Sequence, residues 1–252
     1  MPAPDLQWIV PDWPAPSHVR SASTLRQGGA SGGRYASLNL GAHVGDHPAA
    51  VLENRRRLRE ALKLPTEPFW LNQIHGVAVA QPAWRTGRPP TADVAVYNAV
   101  AGGQPGVCAV LTADCLPVLF CDRAGTRVAA AHAGWRGLAA GVLARALQAL
   151  GVPGDQLLAW IGPAIGPAAF EVGADVVQAF TAVHPEAQSA FVPNPRGRWQ
   201  ADLFALARQE LGRLGVKDVY GGNRCTAADP DAFFSYRRDG QTGRMATLVW
   251  LD

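Results

Sequence analysis

The sequence predicts an α/β fold of α+β character, with layered mixed β-sheets and helices packed outside them. Strand-like and helix-like segments alternate along the chain, as in sheets covered by helices. Several strand-like segments follow one another directly, and the chain closes on a hairpin pattern, which argues against a purely parallel sheet. No repeat or low-complexity linker interrupts the 252 residues. We therefore expect a single domain over residues 1–252, with residues 1–20 as a loosely attached N-terminal segment.

The first predicted helix spans 48–63, with Asp46 as its N-cap and Pro48 in its first turn. Residues 69–80 follow, and their apolar and β-prone side chains predict two strand pieces that are kinked at Gly76. This part of the chain therefore predicts one helix and the start of a sheet.

The middle of the chain predicts three strands and a helix. Strands at 106–112 and 116–120 flank a polar Thr-Ala-Asp-Cys corner, and a third strand spans 127–131. A Gly-rich turn then leads into a helix at 138–150, which Gly151 closes.

The remaining third predicts alternating strands and helices before a closing hairpin. These elements are a strand at 157–161, helices at 174–183 and at 202–214 with Asp202 as N-cap, a strand at 219–220, and hairpin strands at 233–237 and 245–251.

The composition excludes several classes of protein. Hydrophobic residues are 48% and charged residues 17% of the chain, whereas disordered proteins combine low hydrophobicity with high net charge. The net charge of +3 is small and the arginines are spread along the chain, which argues against nucleic-acid partners. No apolar run approaches about 18 residues, so no membrane partner is predicted. Without a signal-like start or a C-x-x-C pair among the 4 cysteines, we expect a reduced, cytoplasmic protein. Because no amphipathic stretch is left without a place in the predicted fold, we expect a monomer.

Three possible metal ligands stand at irregular points beside predicted strands. His75 follows a strand and precedes Gly76, Cys115 lies in the polar corner, and His132 directly follows the strand at 127–131. Taken singly, each is as readily explained by packing, since Cys is among the most buried residue types. Side chains at strand ends can nevertheless converge at one edge of a sheet, where ligands usually bind.

Two imidazoles and a thiolate suit zinc and leave its fourth tetrahedral position open. The same donors also suit a blue-copper site. A four-copper oxidase needs many more histidines, whereas this chain has 6 and no H-x-H pair. The same residues could also form a thiol hydrolase, with Cys115 as nucleophile and His132 or His75 as base.

A possible phosphate site lies at the turn after His132. Gly134 to Gly137 open a predicted helix, whose free N–H groups attract anions, and Arg136 could hold phosphate through two bonds. Arg55 and Asn39 are weaker candidates for substrate binding, because each is as well explained by a structural role.

Six short motifs stand out along the chain. They are Ser37-Leu38-Asn39-Leu40-Gly41, Asn72-Gln73-Ile74-His75-Gly76, Thr112-Ala113-Asp114-Cys115-Leu116-Pro117, His132-Ala133-Gly134-Trp135-Arg136-Gly137, Ile161-Gly162-Pro163-Ala164-Ile165-Gly166 and Phe233-Phe234-Ser235-Tyr236-Arg237-Arg238. Together they resemble the polyphenol oxidase-like (laccase-domain) family, which is also described as a purine nucleoside phosphorylase or peptidoglycan editing factor family. The resemblance covers the chain from about residue 20 to the end, with the motifs in the family's order.

The resemblance implies a layered mixed α/β fold and a zinc site, less readily a copper site, formed by His75, Cys115 and His132. It implies phosphorolysis of adenosine, inosine and methylthioadenosine, together with adenosine deamination. Purine nucleosides and phosphate would then be the only partners. Within this frame, Gln73 or Asp114 would orient a ligand or the base.

Three alternatives remain open. One is a cysteine-type amidohydrolase that edits peptidoglycan precursors. The second is copper-dependent phenol oxidation, which the histidine count disfavours. The third is a protein without enzymatic activity, which would require the three ligands to lie apart.

Overall fold

The computed structural model describes residues 6–81, 88–102 and 105–252 and contains thirteen strands and six α-helices in this part of the chain. The strands are β1 (Trp8–Ile9), β2 (Val19–Thr24), β3 (Val79–Ala80), β4 (Val94–Asn98), β5 (Cys108–Thr112), β6 (Leu116–Asp122), β7 (Arg127–Ala133), β8 (Leu157–Ile161), β9 (Glu171–Val172), β10 (Phe191–Pro193), β11 (Trp199–Ala201), β12 (Asp218–Gly221) and β13 (Met245–Leu251). The helices are α1 (Pro48–Ala61), α2 (Trp135–Ala139), α3 (Val142–Leu150), α4 (Ala174–Thr181), α5 (Leu203–Arg213) and α6 (Tyr236–Asp239).

The strands form two large sheets and a small one. A six-stranded mixed sheet has the order β12-β8-β6-β7-β4-β3, in which only the two outer pairs are parallel. An antiparallel four-stranded sheet has the order β1-β2-β13-β5, and β10-β11-β9 form the third sheet. The predicted mixed sheets are therefore confirmed.

Alternation along the strands separates the core into layers. In β7, Val128 and Ala130 pack between the two large sheets, whereas Ala129 and Ala131 face the cluster that contains α2 to α5. On the far side of the four-stranded sheet, Leu58 of α1 lies in a third cluster. Because successive strand side chains point to opposite faces, the order of layers is helix, sheet, sheet, helices. The prediction of helices packed outside the sheets is confirmed.

The N-terminal segment is held more firmly than its sequence predicts from residue 6 onward. Strand β1 pairs with β2, and Nε1 of Trp160 donates a hydrogen bond to Asp12 at 3.1 Å. Nε2 of His18 lies 2.9 Å from the carbonyl oxygen of Gly125. These contacts fix the segment against both large sheets.

Three predicted elements differ in the structure. Of the two strand pieces expected over 69–80, only β3 (Val79–Ala80) is a strand, and Phe69 and Asn72 form isolated bridges. The helix expected at 138–150 begins earlier, at Trp135, and is broken at Gly141, whose φ of 86° lies in the left-handed region. The closing hairpin does not form, because Ser235 caps the one-turn helix α6 instead. Its second strand, β13, pairs with β2 and β5.

One of the two predicted helix N-caps forms and the other does not. Asp202 caps α5 as predicted by accepting a hydrogen bond from the backbone of Ala205. The N-cap of α1 is His47 and not the predicted Asp46, because the Asp46 carboxylate is bonded to the side chains of Ser31 and Asn39. No helix among the described residues has the length and apolarity to cross a membrane.

Candidate metal centre

The structure brings His75, Cys115 and His132 together at one point of the molecule. One ligand atom from each lies within 4.8 Å of the others, and Sγ of Cys115 is 3.7 Å from Nε2 of His75. The two imidazole rings meet edge to face with centroids 4.8 Å apart. The predicted convergence of the three side chains is confirmed.

A tight turn presents His75. Its φ of 61° is left-handed, which is uncommon for a residue with a side chain. The buried carboxylate of Asp93 holds this turn by accepting hydrogen bonds from the backbone N–H groups of His75 at 2.9 Å and of Gly76 at 2.7 Å. The same carboxylate therefore determines where the exposed His75 ring points.

His132 is the penultimate residue of β7 and does not lie in the turn that its sequence predicts. Its Nδ1 is 2.8 Å from Oδ1 of Asp93, and its backbone N–H donates to the Asp93 carbonyl oxygen at 2.7 Å. An ionised carboxylate only accepts, so Nδ1 carries the proton and Nε2 remains available as a ligand.

Cys115 is presented by the sharp corner between β5 and β6. The preceding residue, Asp114, has a φ of 97°, so the chain reverses its direction immediately before the thiol. Gly134 closes the other side: a Cβ placed there would come within 2.9 Å of His75 and 3.0 Å of the Cys115 sulfur. The site therefore requires glycine at this position.

The electrostatics of the cluster favour a thiolate. Burial opposes ionisation of the thiol, but the charge of His132 and hydrogen bonds from His132 and His75 lower the pKa of Cys115 to about 6. Burial also opposes protonation of His132, yet Cys115 and Asp93 raise its pKa to about 9. The hydrogen bond from His132 keeps the pKa of Asp93 below its usual value despite its burial. The charges along Asp93, His132 and Cys115 thus alternate in sign.

These donors fit a metal ion. Around a tetrahedral zinc ion, nitrogen and sulfur ligands lie about 3.5 Å apart, close to the 3.7 Å between Nε2 of His75 and Sγ of Cys115. His132 also has the carboxylate partner on its second nitrogen that metal-binding histidines usually have. Three protein ligands leave a coordination position for water or substrate.

Gln73 and Asp114 are both occupied by structural contacts. The amide of Gln73 donates to the backbone carbonyl oxygen of Leu111 at 2.8 Å and accepts from its N–H at 2.7 Å. The Asp114 carboxylate accepts from the hydroxyl of Thr226 at 2.6 Å and from the backbone of Arg237 at 2.7 Å. Their roles in orienting a ligand or the base stay predictions.

Asn39 packs against α1, and Arg55 is a residue of that helix. Asn39 is fully buried, and its amide bonds to the backbone of Gly41 and to Asp46. Arg55 donates twice to the carbonyl oxygen of Leu40, and its guanidinium lies 4.1 Å from the centre of the Trp70 ring. Both contact sets fix the motif around Leu40.

Arg136 is exposed, and its guanidinium lies 4.4 Å from the centre of the neighbouring Trp135 ring. The helix that was expected to support its anion site is a single short turn, because α2 ends at Ala139. Its phosphate-binding role stays a prediction with less support from the helix than the sequence suggests.

Asp93 contacts both histidine segments but is not among the site residues predicted from the sequence. The available signal was a lone carboxylate between Ala92 and Val94 in an otherwise apolar stretch. A buried charge of this kind requires partners, and here the partners belong to the metal centre.

Comparison with known proteins identifies the family. Residues 20–252 match the model of the multi-copper polyphenol oxidoreductase laccase family. The chain belongs to this family. Among its members, a purine nucleoside phosphorylase of Pseudomonas aeruginosa is 58% identical over 97% of this chain and 98% of its own. Purine nucleoside phosphorylase YfiH of Escherichia coli is 53% identical over 96% of this chain and 98% of its own.

Solved structures of this laccase-like family have the same fold. A Neisseria meningitidis protein superposes with a TM-score of 0.92 at 54% identity, covering 97% of this chain and 99% of that protein. YlmD of Geobacillus stearothermophilus superposes with a TM-score of 0.88 at 30% identity, covering 98% and 99%.

Proposed function

We propose that this single domain is a zinc-dependent purine nucleoside phosphorylase. The observation that carries the proposal is the cluster of His75, Cys115 and His132, with Asp93 behind it, in a chain that is 58% identical to a purine nucleoside phosphorylase of Pseudomonas aeruginosa. The substrates would be adenosine, inosine or methylthioadenosine together with phosphate, and adenosine deamination would be a further activity. The reducing cytoplasm suits its four free cysteines.

The chain's own residues perform the positioning that the reaction needs. Asp93 fixes the tautomer of His132 and the turn that presents His75, so two ligands are oriented by one buried carboxylate. Gly134 leaves space directly against the thiol. When bound, zinc would supply a Lewis acid at this point.

Phosphorolysis places a further demand on the site. As the purine leaves, the ribose carbon gains positive charge, and a phosphate oxygen must be held against it. The bond from the ribose carbon to the base nitrogen breaks, a bond to phosphate oxygen forms, and the base takes a proton. A positively charged pocket next to the metal centre is therefore required.

The test is turnover by the purified protein with measured metal content. We expect release of hypoxanthine from inosine only when phosphate is present, and ammonia from adenosine with or without it. Omission of phosphate serves as the control for the first reaction. Hypoxanthine release that does not depend on phosphate would contradict a phosphorylase.

A thiol hydrolase is the second candidate, because Cys115, His132 and Asp93 also form a nucleophile, base and orienting group in line. The proposed substrate is an amide of a peptidoglycan precursor. Metal analysis separates the two functions, since a zinc-bound thiolate is not a free nucleophile. Full activity on such an amide without metal would favour the hydrolase.

Copper-dependent phenol oxidation has less support. Among the described residues only one group of three ligands could hold a metal ion. Multicopper chemistry requires several such centres.

A further inference from the structure

Arg244 is a partly buried cation directly before β13, whose first residue, Met245, pairs with Thr112 at the end of β5, three residues before Cys115. It is not one of the three candidate metal ligands. Burial lowers the pKa of the Arg244 guanidinium, although the negative charges of Cys115 and Asp114 act to raise it. The Asp114 carboxylate is already bonded to Thr226 and Arg237. Arg244 therefore carries a desolvated positive charge that forms no ion pair with a carboxylate among the described residues.

The hydrogen bonds of Arg244 leave part of its guanidinium unused. Nη1 donates to the carbonyl oxygens of Thr242 and Gly243 at 2.9 and 3.0 Å. Within the described residues, Nε and Nη2 have no hydrogen-bond partner and Arg244 forms no ion pair. A planar guanidinium held through one nitrogen presents its other donors to a ligand.

The backbone places Arg244 and Arg55 on either side of one short segment. Arg244 N–H donates to the Asn39 side chain at 2.9 Å, and its carbonyl oxygen accepts from Leu40 at 3.1 Å. Arg55 binds the carbonyl oxygen of that same Leu40. The side chain of Arg244 also lies against Gly41, where a Cβ would come within 2.8 Å of it.

His43 joins this group from the loop that follows. Its pKa is lowered by burial and by the charges of Arg244, Arg55 and His132, so one side chain responds to both arginines and to the metal centre. None of the three residues His43, Arg55 and Arg244 forms an ion pair in the described part of the chain. Two guanidinium groups that form no ion pair among the described residues thus flank the Leu40 segment, together with His43.

We propose that Arg244, supported by Arg55 and His43, forms the subsite that holds inorganic phosphate beside Cys115 and His132. The dianion would take two charge-assisted bonds from the free edge of Arg244 and would neutralise a cation that is otherwise desolvated. The identity of the anion rests on the proposed function. Arg244 would then have the role that the sequence alone gives to Arg136.

Inorganic phosphate binding is the direct test and does not require turnover. Phosphate is titrated calorimetrically into wild-type protein and into Arg244→Gln, Arg244→Lys, Arg136→Ala and Arg127→Gln variants. Arg127 is the matched control, because its Nη1 also donates to two successive carbonyl oxygens, of Leu150 and Gly151. It is the first residue of β7 and lies at the opposite end of that strand from His132.

We expect Arg244→Gln to weaken phosphate binding at least tenfold, about 1.4 kcal/mol, and Arg244→Lys to retain part of the affinity. Arg127→Gln should bind as wild type. In phosphorolysis, the KM for phosphate should rise at least tenfold in Arg244→Gln, while the KM for inosine changes less than threefold.

Three results would overturn the inference. One is wild-type affinity for phosphate in Arg244→Gln, and another is loss of phosphate binding in Arg136→Ala alone. The third is that the wild-type protein binds adenosine monophosphate but not inorganic phosphate. Failure of the proposed function gives a different result. In that case phosphate binding would still depend on Arg244, but nucleosides would not be cleaved.

Discussion

Asp93 and His132 are joined twice, through the main chain and through the side chains. The carbonyl oxygen of Asp93 accepts the backbone N–H of His132 at 2.7 Å, and its carboxylate lies 2.8 Å from Nδ1 of the ring. The same carboxylate binds the turn of His75. One buried residue therefore sets the orientation of both imidazoles, and its removal should affect metal binding before it affects the fold.

Asp93→Asn is expected to lower metal affinity by about ten- to a hundredfold, the usual effect of losing the partner of a ligating histidine. The amide cannot accept from Nδ1–H and from both turn N–H groups as a carboxylate does. Metal content after dialysis against a weak chelator measures the effect, and turnover should fall in parallel.

Asp122→Asn is the matched control for that experiment. Its buried carboxylate likewise accepts from backbone N–H groups, those of Thr126 and Arg127, but lies at the far end of β6 from Cys115. It should lose stability without losing metal. Equal metal loss in both variants would show that Asp93 acts only through folding.

Local chemistry explains which elements the sequence predicts well. The strand Leu157–Ile161 has the predicted bounds, and the α5 cap is formed by Asp202 itself. Both depend on neighbouring residues. The prediction of a closing hairpin was wrong because β13 pairs with β2 and β5. Pairing between strands so far apart in the sequence leaves no pattern in the residues around either strand.

Local sequence patterns likewise predict one part of the site and not the other. His75, Cys115 and His132 stand at chain reversals or strand ends, which sequence can locate. Asp93 functions through the antiparallel pairing of β4 with β7, which sets Val94 opposite Ala131. This pairing belongs to the tertiary structure. The sequence therefore shows a lone carboxylate in an apolar run but does not show which residues it contacts.

Cys115→Ala should abolish nucleoside turnover and lower the zinc content while leaving the fold largely intact. The side chain is only half-buried at a corner and belongs to none of the hydrophobic clusters. Circular dichroism and the thermal midpoint report on the fold, and elemental analysis reports on zinc. Phosphorolysis at the wild-type rate would remove Cys115 from the reaction.

Gly134→Ala tests the space that the metal centre requires. The glycine has a φ of −59°, which alanine adopts readily, so strain in the backbone is not expected. The added methyl group would meet His75 at 2.9 Å and the Cys115 sulfur at 3.0 Å and should separate the ligands. We expect at least tenfold weaker metal binding.

Gly212→Ala is its control, since a Cβ there meets no atom within 4 Å and the residue lies in α5. Alanine in place of a helical glycine should stabilise the fold by roughly 0.5–1 kcal/mol, with metal content and turnover unchanged. Normal metal binding in Gly134→Ala would contradict the close packing around the thiol.

In the metal-free protein, the pH dependence of thiol alkylation should distinguish Cys115 from the core cysteines. The His132 charge and the two histidine hydrogen bonds lower the pKa of Cys115 to about 6 against the burial that raises it, whereas burial raises the pKa of Cys121 to about 12. Only the thiolate reacts. The rate at Cys115 should therefore rise as the pH is raised through 6 and be level by pH 8, where an ordinary thiol is still gaining reactivity.

Peptide mapping after iodoacetamide treatment measures each site, and His132→Gln should shift the midpoint upward. A midpoint near 9 in the folded, metal-free protein would contradict the thiolate–imidazolium pair, and protection by added zinc would place the metal on this sulfur.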